Sequence, residues 1–305
     1  MEKKNLLQKY SEWLEFDKIN MPAPVWIGIA ICAAAGVTVL SFVLVFLLIN
    51  EVTLLPAAFG IATLIIVLGY PYMTRESIIS SIEGNFSDAL KQMADILKAG
   101  DTYESALREV ANSDYGRLSE EMENALRRLE EGENLESALN GFANRVNSRL
   151  ISRTMTIILD SIRTGASLSE VMEEIADDVR DFQRLKDDRK ANTTMQFLFM
   201  VAAGGIIAPL IFGEVSAVMG TFAKISFQTL DQMQMAAALQ SSNFMTLLIQ
   251  SYLIIEVLGS GIMMSIIREG KINKSVIYIP MLLLVAFITY YVSTFAVRSM
   301  LTGTI

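Results

Sequence analysis

Five apolar runs divide this chain, and the longest interval between them is the charged one. The runs are Val25–Ile49, Val52–Tyr70, Met195–Phe212, Phe244–Ile267 and Val276–Val297. Each holds about 18 to 25 residues, the length a helix needs to cross a hydrocarbon core of about 30 Å. Helices buried in a soluble protein are shorter and amphipathic, so all five read as membrane spans. Only Asn50 and Glu51 separate the first two, which predicts a tight helical hairpin; a re-entrant loop at Val52–Tyr70 is the alternative. The expected fold class is an all-α integral membrane protein: a cytoplasmic antiparallel helical bundle with transmembrane helices on both sides of it in the chain. The expected domains are an N-terminal cytoplasmic segment (1–24), a transmembrane hairpin (25–70), a cytoplasmic helical domain (71–192) and a three-span region (193–305) with an outer loop (214–243).

Lys and Arg set the orientation. Four precede the first span, sixteen lie in 71–192 and three (Arg268, Lys271, Lys274) lie between the last two spans, against Lys224 and Arg298 on the other side. The positive-inside tendency therefore puts the N-terminus and segment 71–192 in the cytoplasm and the C-terminus outside. Long domains translocate regardless of charge, so the short basic loop is the cleaner indicator. A mixed-charge stretch precedes the first span without a cleavage signature, so no cleaved signal is expected.

Composition excludes several chemistries. The net charge of −8 resides in 71–192, with 16 Lys/Arg against 24 Asp/Glu, which argues against a nucleic-acid partner. The chain has no histidine and one cysteine, Cys32, inside a span. No disulfide framework, metal site or cofactor site is expected. No phosphate-binding Gly-x-x-x-x-Gly-Lys-[Ser/Thr] loop occurs, and no hydrolytic constellation stands out. Energy for any work must come from a separate protein.

Within 71–192 one pattern recurs three times, at Gly100–Ala111, Gly132–Ala143 and Gly165–Ala176. Each copy opens on a glycine that closes a preceding helix, expected at Phe86–Ala99, Leu118–Glu131 and Ile151–Thr164. Glycine just past a helix end takes the left-handed conformation without a Cβ penalty. Thr102, Asn134 and Ser167 follow as N-caps, and Ser167 with Glu170 has the spacing of a capping box. The apolar sets Tyr103/Leu107/Val110, Leu135/Leu139/Phe142 and Leu168/Met172/Ile175 each fall on one helical face. The pattern predicts antiparallel neighbours joined by short turns, a compact bundle rather than a solenoid. After Ser167 the stripe continues through Val179, Phe182 and Leu185, with basic residues collecting toward Lys190. This segment reads either as a lever joining the bundle to the membrane or as a solvated linker helix.

In the spans, Gly28–Cys32–Gly36 has spacing for close helix crossing. Glu256 sits near the middle of Phe244–Ile267, where a carboxylate must be paired, protonated or facing a cavity. Residues 214–243, rich in Met and Gln, are expected to form one or two interfacial helices.

The stretch Phe86–Leu107, with Ala99, Gly100 and Leu107, and the stretch Ile162–Met172, with Gly165, Leu168, Ser169 and Val171, resemble the two motifs of a known family. These are the F-family inner-membrane platforms of type II secretion and type IV pilus systems, in particular the short single-domain forms of tight-adherence pili and archaeal pilus or archaellum platforms. The resemblance covers Phe86 to about Phe212. It implies a non-enzymatic protein whose bundle engages a hexameric secretion ATPase and whose spans help move pilin or archaellin subunits from the bilayer. It also implies a homo-oligomer or pairing with a sister platform protein. Glu120, Glu121, Glu130 and Glu131 form the expected acidic docking face for the ATPase, with a solvated charge run as the alternative. A transporter or channel gated by the bundle, favoured by Glu256, and a membrane-bound adaptor are the competing readings.

Overall fold

The computed structural model describes residues 10, 11, 14, 21–48, 53–164, 167–226 and 232–302. They form helices α1 (Ala23–Leu48), α2 (Leu55–Lys98), α3 (Tyr103–Asn112), α4 (Arg117–Glu130), α5 (Leu135–Val146), α6 (Arg149–Thr164) and α7 (Leu168–Asn192). Then follow α8 (Thr194–Met200), a π-helical stretch Val201–Ile207, α9 (Ala208–Ser226), α10 (Gln232–Glu269), a 3₁₀ turn Ile272–Lys274 and α11 (Ser275–Thr302). There is no strand among the described residues. The chain divides into two units, Thr74–Arg189 and the remainder, Met1–Met73 with Lys190–Ile305.

The helical bundle, Thr74–Arg189, closes around one apolar core. Its centre is Phe86 on α2 against Phe142 on α5, both fully buried, with ring centroids 6.3 Å apart. Leu107 and Val110, Met122 and Ala125, Ile151 and Ile158, and Met172 and Ile175 bring α3, α4, α6 and α7 into the same cluster. Of the apolar triads, the second and third members are buried; Leu135 and Leu168 pack at the rim, and Tyr103 is 36% exposed. Ala106, Ala138 and Ala176 are buried, letting helices approach closely.

The first helix of the bundle does not begin at Phe86. It is the continuation of α2, a 44-residue helix that contains Pro71. Proline removes one backbone donor and costs the helix one bond. Ile78, Ile79 and Ile82 lead at helical spacing into Phe86, so burial continues the helix past the proline.

The turns are built alike at two places. Gly100 has φ +89°, and Asp101 N–H donates to Ile96 O at 3.3 Å. Gly132 has φ +95°, and Glu133 N–H donates to Arg128 O at 3.0 Å. Both are six-to-one closures that satisfy carbonyls at a helix end. Gly165 lies outside the described residues. A further left-handed terminus carries no glycine: Asn147, φ 52°, closes α5.

Among the described residues, five helices are long and apolar enough to cross a bilayer, at Ala23–Val43, within Leu55–Lys98, Thr194–Phe222, Gln240–Glu269 and Ile272–Leu301. The core of the membrane unit holds Ala58, Ala62, Val257, Met264, Leu283, Ala286 and Phe287. α9 and α11 meet where Gly213 faces the Tyr290 carbonyl and Ser293, leaving no room for a side chain. Hydroxyls tie the same seam: Tyr290 donates to Ser216 at 2.9 Å and Ser293 to Leu210 O at 2.9 Å.

One reading of this unit is corrected. Gly28 and Gly36 have open space where a Cβ would stand, and Cys32 is exposed. α1 instead turns Ala34 and Thr38 toward Gly60 of α2, and Trp26 Nε1 donates to Val67 O at 3.1 Å. Within 214–243, where one or two helices are expected, the described residues are helical. Glu214–Ser226 continues α9 and Gln232–Asn243 begins α10, because the apolar spacing of Val215, Val218, Met219 and Phe222 carries on from the span.

Gly84 and Gly132 make a matched pair of tests. Gly132→Ala places a Cβ on a residue at φ +95° and is expected to destabilise the bundle by about 1 kcal/mol, with Val costing more. Gly84→Ala, inside a helix with open space around it, is expected to stabilise by about 0.5–1 kcal/mol. Circular-dichroism melts of the detergent-solubilised protein measure both; a Gly132→Val variant that melts unchanged contradicts the left-handed turn.

Candidate interaction surface of the bundle

The two described turns carry more than a glycine and a cap. Thr102 Oγ1 accepts from Ser105 N–H at 3.2 Å, while Asp101 accepts from Thr102 N–H and from Ser105 Oγ, each at 2.8 Å. In the second copy Asn134 Oδ1 accepts from Ser137 N–H at 2.7 Å, and Glu133 accepts from Ser137 Oγ at 2.8 Å and Arg128 Nε at 3.0 Å. An acid one residue after the glycine and a serine four residues later thus brace each turn. The signal was present in the sequence as Gly-Asp-x-x-x-Ser and Gly-Glu-x-x-x-Ser. The third copy lacks both residues; there Ser167 Oγ lies 3.1 Å from Ser169 Oγ, and Ser167 O accepts from Val171 N–H. Glu170 stands in the first turn of α7.

Beside the first turn lies an open groove of about 770 Å³ between α2 and α3. Asp88, Asp95, Asp101, Glu109 and Asp114 line it, against one cation, Lys91. Asp88 is matched by Arg180 of α7 at 3.0 Å. The hydrogen bonds from Thr102 and Ser105 hold the Asp101 carboxyl below its ordinary range. Ser137 and Arg128 do the same for Glu133. The groove is a negative concavity suited to cationic side chains. Among the described residues no group of three or more metal-ligating side chains converges.

The four glutamates expected to form one docking face divide. Glu120 is exposed and paired with Arg117 at 2.6 Å; Glu130 is exposed and paired with Arg108 at 2.7 Å; Glu131 is exposed. Glu121 does not belong to that face. It is 3% exposed, because α4 buries Leu118, Met122 and Ala125, and position 121 falls on the same side. It pairs with Arg145 of α5, whose Nε stands 3.1 Å from Glu121 Oε2, and more distantly with Arg117 of its own helix, 3.9 Å from Oε1.

A partly buried acid, Glu83, left no signal in the sequence. Glu83 on α2 accepts from Ser148 Oγ at 2.6 Å and faces Lys186 Nζ at 3.4 Å, while its backbone carbonyl accepts from Gln183. One residue thus ties α2 to α7 and to the α5–α6 turn.

In the membrane unit, Glu256 is half-buried on α10, with Oε2 sealed from solvent and without a hydrogen bond. Six residues earlier Gln250, 1% exposed, is fully engaged: Leu54 N–H donates to its Oε1 at 2.7 Å and its Nε2 donates to Tyr291 OH at 3.2 Å. An amide inside an apolar run was the available signal for this clamp.

Residues 89–215 match the family model described as Type II secretion system (T2SS), protein F. No curated protein and no solved structure matches the chain. The matched stretch begins in the core of the bundle on α2 and ends on α9.

Two outcomes follow from the bundle's carboxylates. Glu121→Ala strands Arg145, and since that guanidinium is 40% exposed the loss is expected at about 1–3 kcal/mol, against little for Glu131→Ala. Asp101 and Glu133 have lowered values in the folded chain, so their contribution is complete above the usual carboxylate range and vanishes as acid takes the pH through the lowered values. The melting-temperature gap between Asp101→Ala and the parent is therefore expected at neutral pH and should close in strong acid. A gap independent of pH contradicts the assignment.

Proposed function

We propose that the chain, whose residues 89–215 match the family model for protein F of the type II secretion system, is a multi-pass, non-enzymatic membrane platform for assembly of a type IV pilus-like or archaellum filament. The observation that carries this reading is the family match running from the bundle into a membrane span. In the proposal the bundle lies in the cytoplasm and receives work from a hexameric secretion ATPase, and the spans act on pilin or archaellin subunits in the bilayer. A second copy or a sister platform protein completes the assembly. The sequence has no nucleotide loop of its own, which supports a separate motor. The division of Lys and Arg, 23 against 2, supports a cytoplasmic bundle and an external C-terminus.

The docking face in this reading is acidic and exposed. It comprises Glu120, Glu130 and Glu131 with the groove of Asp95, Glu109 and Asp114, and it suits a basic edge of the motor. Glu120 and Glu130 already have arginine partners, so a docking cation competes with Arg117 and Arg108 for them. Such rim charges govern encounter rate and salt dependence more than final affinity.

Reversal of Glu120, Glu130 and Glu131 to Lys is expected to weaken ATPase co-purification about tenfold near 50 mM salt and much less near 0.5 M, because exposed charges are screened. Membrane insertion should be unchanged. Purified protein that hydrolyses ATP alone, or filaments in cells lacking every secretion ATPase, would remove the platform reading; full binding after reversal removes only the docking face. For topology, Ser152→Cys and Ser241→Cys in a Cys32→Ser background are to be treated in intact cells with a membrane-impermeant thiol reagent. Ser241→Cys should label and Ser152→Cys should not; the reverse pattern inverts the orientation.

A further inference from the structure

The span that runs from α8 through the π-helical stretch into α9 breaks its own hydrogen-bond ladder. Ala208 N–H donates to Ala203 O, five residues back, and so not to Gly204 O. In that register the donor to Gly204 O would be the N–H of residue 209, and Pro209 has none. The Gly204 carbonyl is therefore left without a backbone donor. Gly204 and Pro209 are both buried. In hydrocarbon an amide group without a partner is costly, so a side chain has to supply what the backbone cannot.

Contacts along α10 locate that side chain. The Arg268 guanidinium lies 4.5 Å from the centroid of the Phe197 ring. A Cβ on Gly204 would come within 3.0 Å of Ser260 Oγ, and Phe212 meets Tyr252 edge-on at 5.2 Å between centroids. From Gly204 to Phe212 the chain advances eight residues, and from Ser260 to Tyr252 it goes back eight. The two helices therefore run antiparallel in one register, which sets Glu256 opposite Ala208. Tyr252, Glu256 and Ser260 recur at steps of four on one helical face. The outer two touch the α8–α9 span, so the middle one faces it too. Ser260 stands level with Gly204 itself. A helical carbonyl points along the axis toward the residue four further on, which is the level of Glu256.

The chemistry of the carboxyl settles its role. Glu256 Oε2 is buried without a hydrogen-bond partner. As a carboxylate it would set an acceptor against an acceptor, whereas a neutral carboxyl carries a donor. No cation intervenes: 195–213, 55–72, 275–297 and the rest of 240–267 hold no Lys, Arg or further acid, and tyrosine is their other titratable side chain. We propose that Glu256 is the donor Pro209 cannot be, its neutral carboxyl hydrogen-bonding the Gly204 carbonyl and so holding a proton near mid-membrane. With the proton, α10 is bonded to the break in the α8–α9 span; without it, two acceptors oppose each other and the bond is lost. The contact is a proton-dependent latch on the span that follows α7 in the chain, and it does not depend on what the protein assembles.

The test uses the full chain in liposomes. In the infrared difference between the parent and Glu256→Gln at neutral pH, the parent should show the carbonyl stretch of a protonated carboxylic acid. A double-mutant cycle of melting temperatures reads the bond. Glu256→Leu should lower the melting temperature by about 2–4 °C, the scale of one polar contact between spans. Glu256→Gln, whose amide can still donate, should lose less than half of that. Pro209→Ala returns a backbone N–H to the break, so in that background Glu256→Leu should cost less than half as much. Ser260→Ala should leave this coupling unchanged. An ionised Glu256 at neutral pH, additive effects of Glu256→Leu and Pro209→Ala, or a coupling that Ser260→Ala removes overturns the proposal.

Discussion

Hydrocarbon offers no water to an amide, and that constraint organises the structure. Each span must satisfy its backbone within its own helix, so the apolar runs have one available conformation. Side-chain hydroxyls obey the same demand. Thr38 and Ser41 donate to carbonyls of their own helix, and Thr294 and Ser293 donate across to or within the α9–α11 seam. Without a hydrophobic force between spans, contact rests on small residues and these bonds. Among the described residues of the membrane unit, the buried side-chain atoms left over are Thr53 Oγ1 and Glu256 Oε2.

In the bundle the order of causes is reversed. Water is available to every surface amide, and apolar burial around Phe86 and Phe142 decides which helices meet. The turns then have to reverse the chain in few residues. Glycine in the left-handed region, a hydrogen-bonded acid and a side-chain cap do this at Gly100 and Gly132. The acidic surplus is held by many local pairs, such as Asp88–Arg180, Arg108–Glu130 and Lys98–Glu173. Individually such exposed pairs add little. Together they let a surface with excess negative charge lie over a tightly packed core.

How much of this was legible beforehand follows from the kind of signal each feature leaves. Spans are a matter of length and composition, and among the described residues each of the five runs holds a helix long enough to cross. The glycine turns at 100 and 132 are local chemistry and could be read directly. Three-dimensional features could not. The continuity of α2 through Pro71 depends on Ile78, Ile79 and Ile82 being buried by other helices. Glu121 looked like its neighbour Glu120, and only the phase of α4 against α5 separates a buried acid from an exposed one. Gly28, Cys32 and Gly36 have the spacing of a seam, yet the contact runs along Ala34 and Thr38, one face over. Asn147 and Glu83 leave no pattern at all, since their roles are defined by partners distant in sequence.

The π-helical stretch Val201–Ile207 acts as a phase corrector. Phe197 packs edge-on to Tyr278, and Gly213 lies against Tyr290 and Ser293; both contacts are with α11. Sixteen residues separate them, and at about 100° each an unbroken α-helix would set them about 160° apart, on nearly opposite sides. One residue of excess, which a π-turn absorbs, takes out about 100° of that. The wider winding therefore lets a single span address the same neighbour twice.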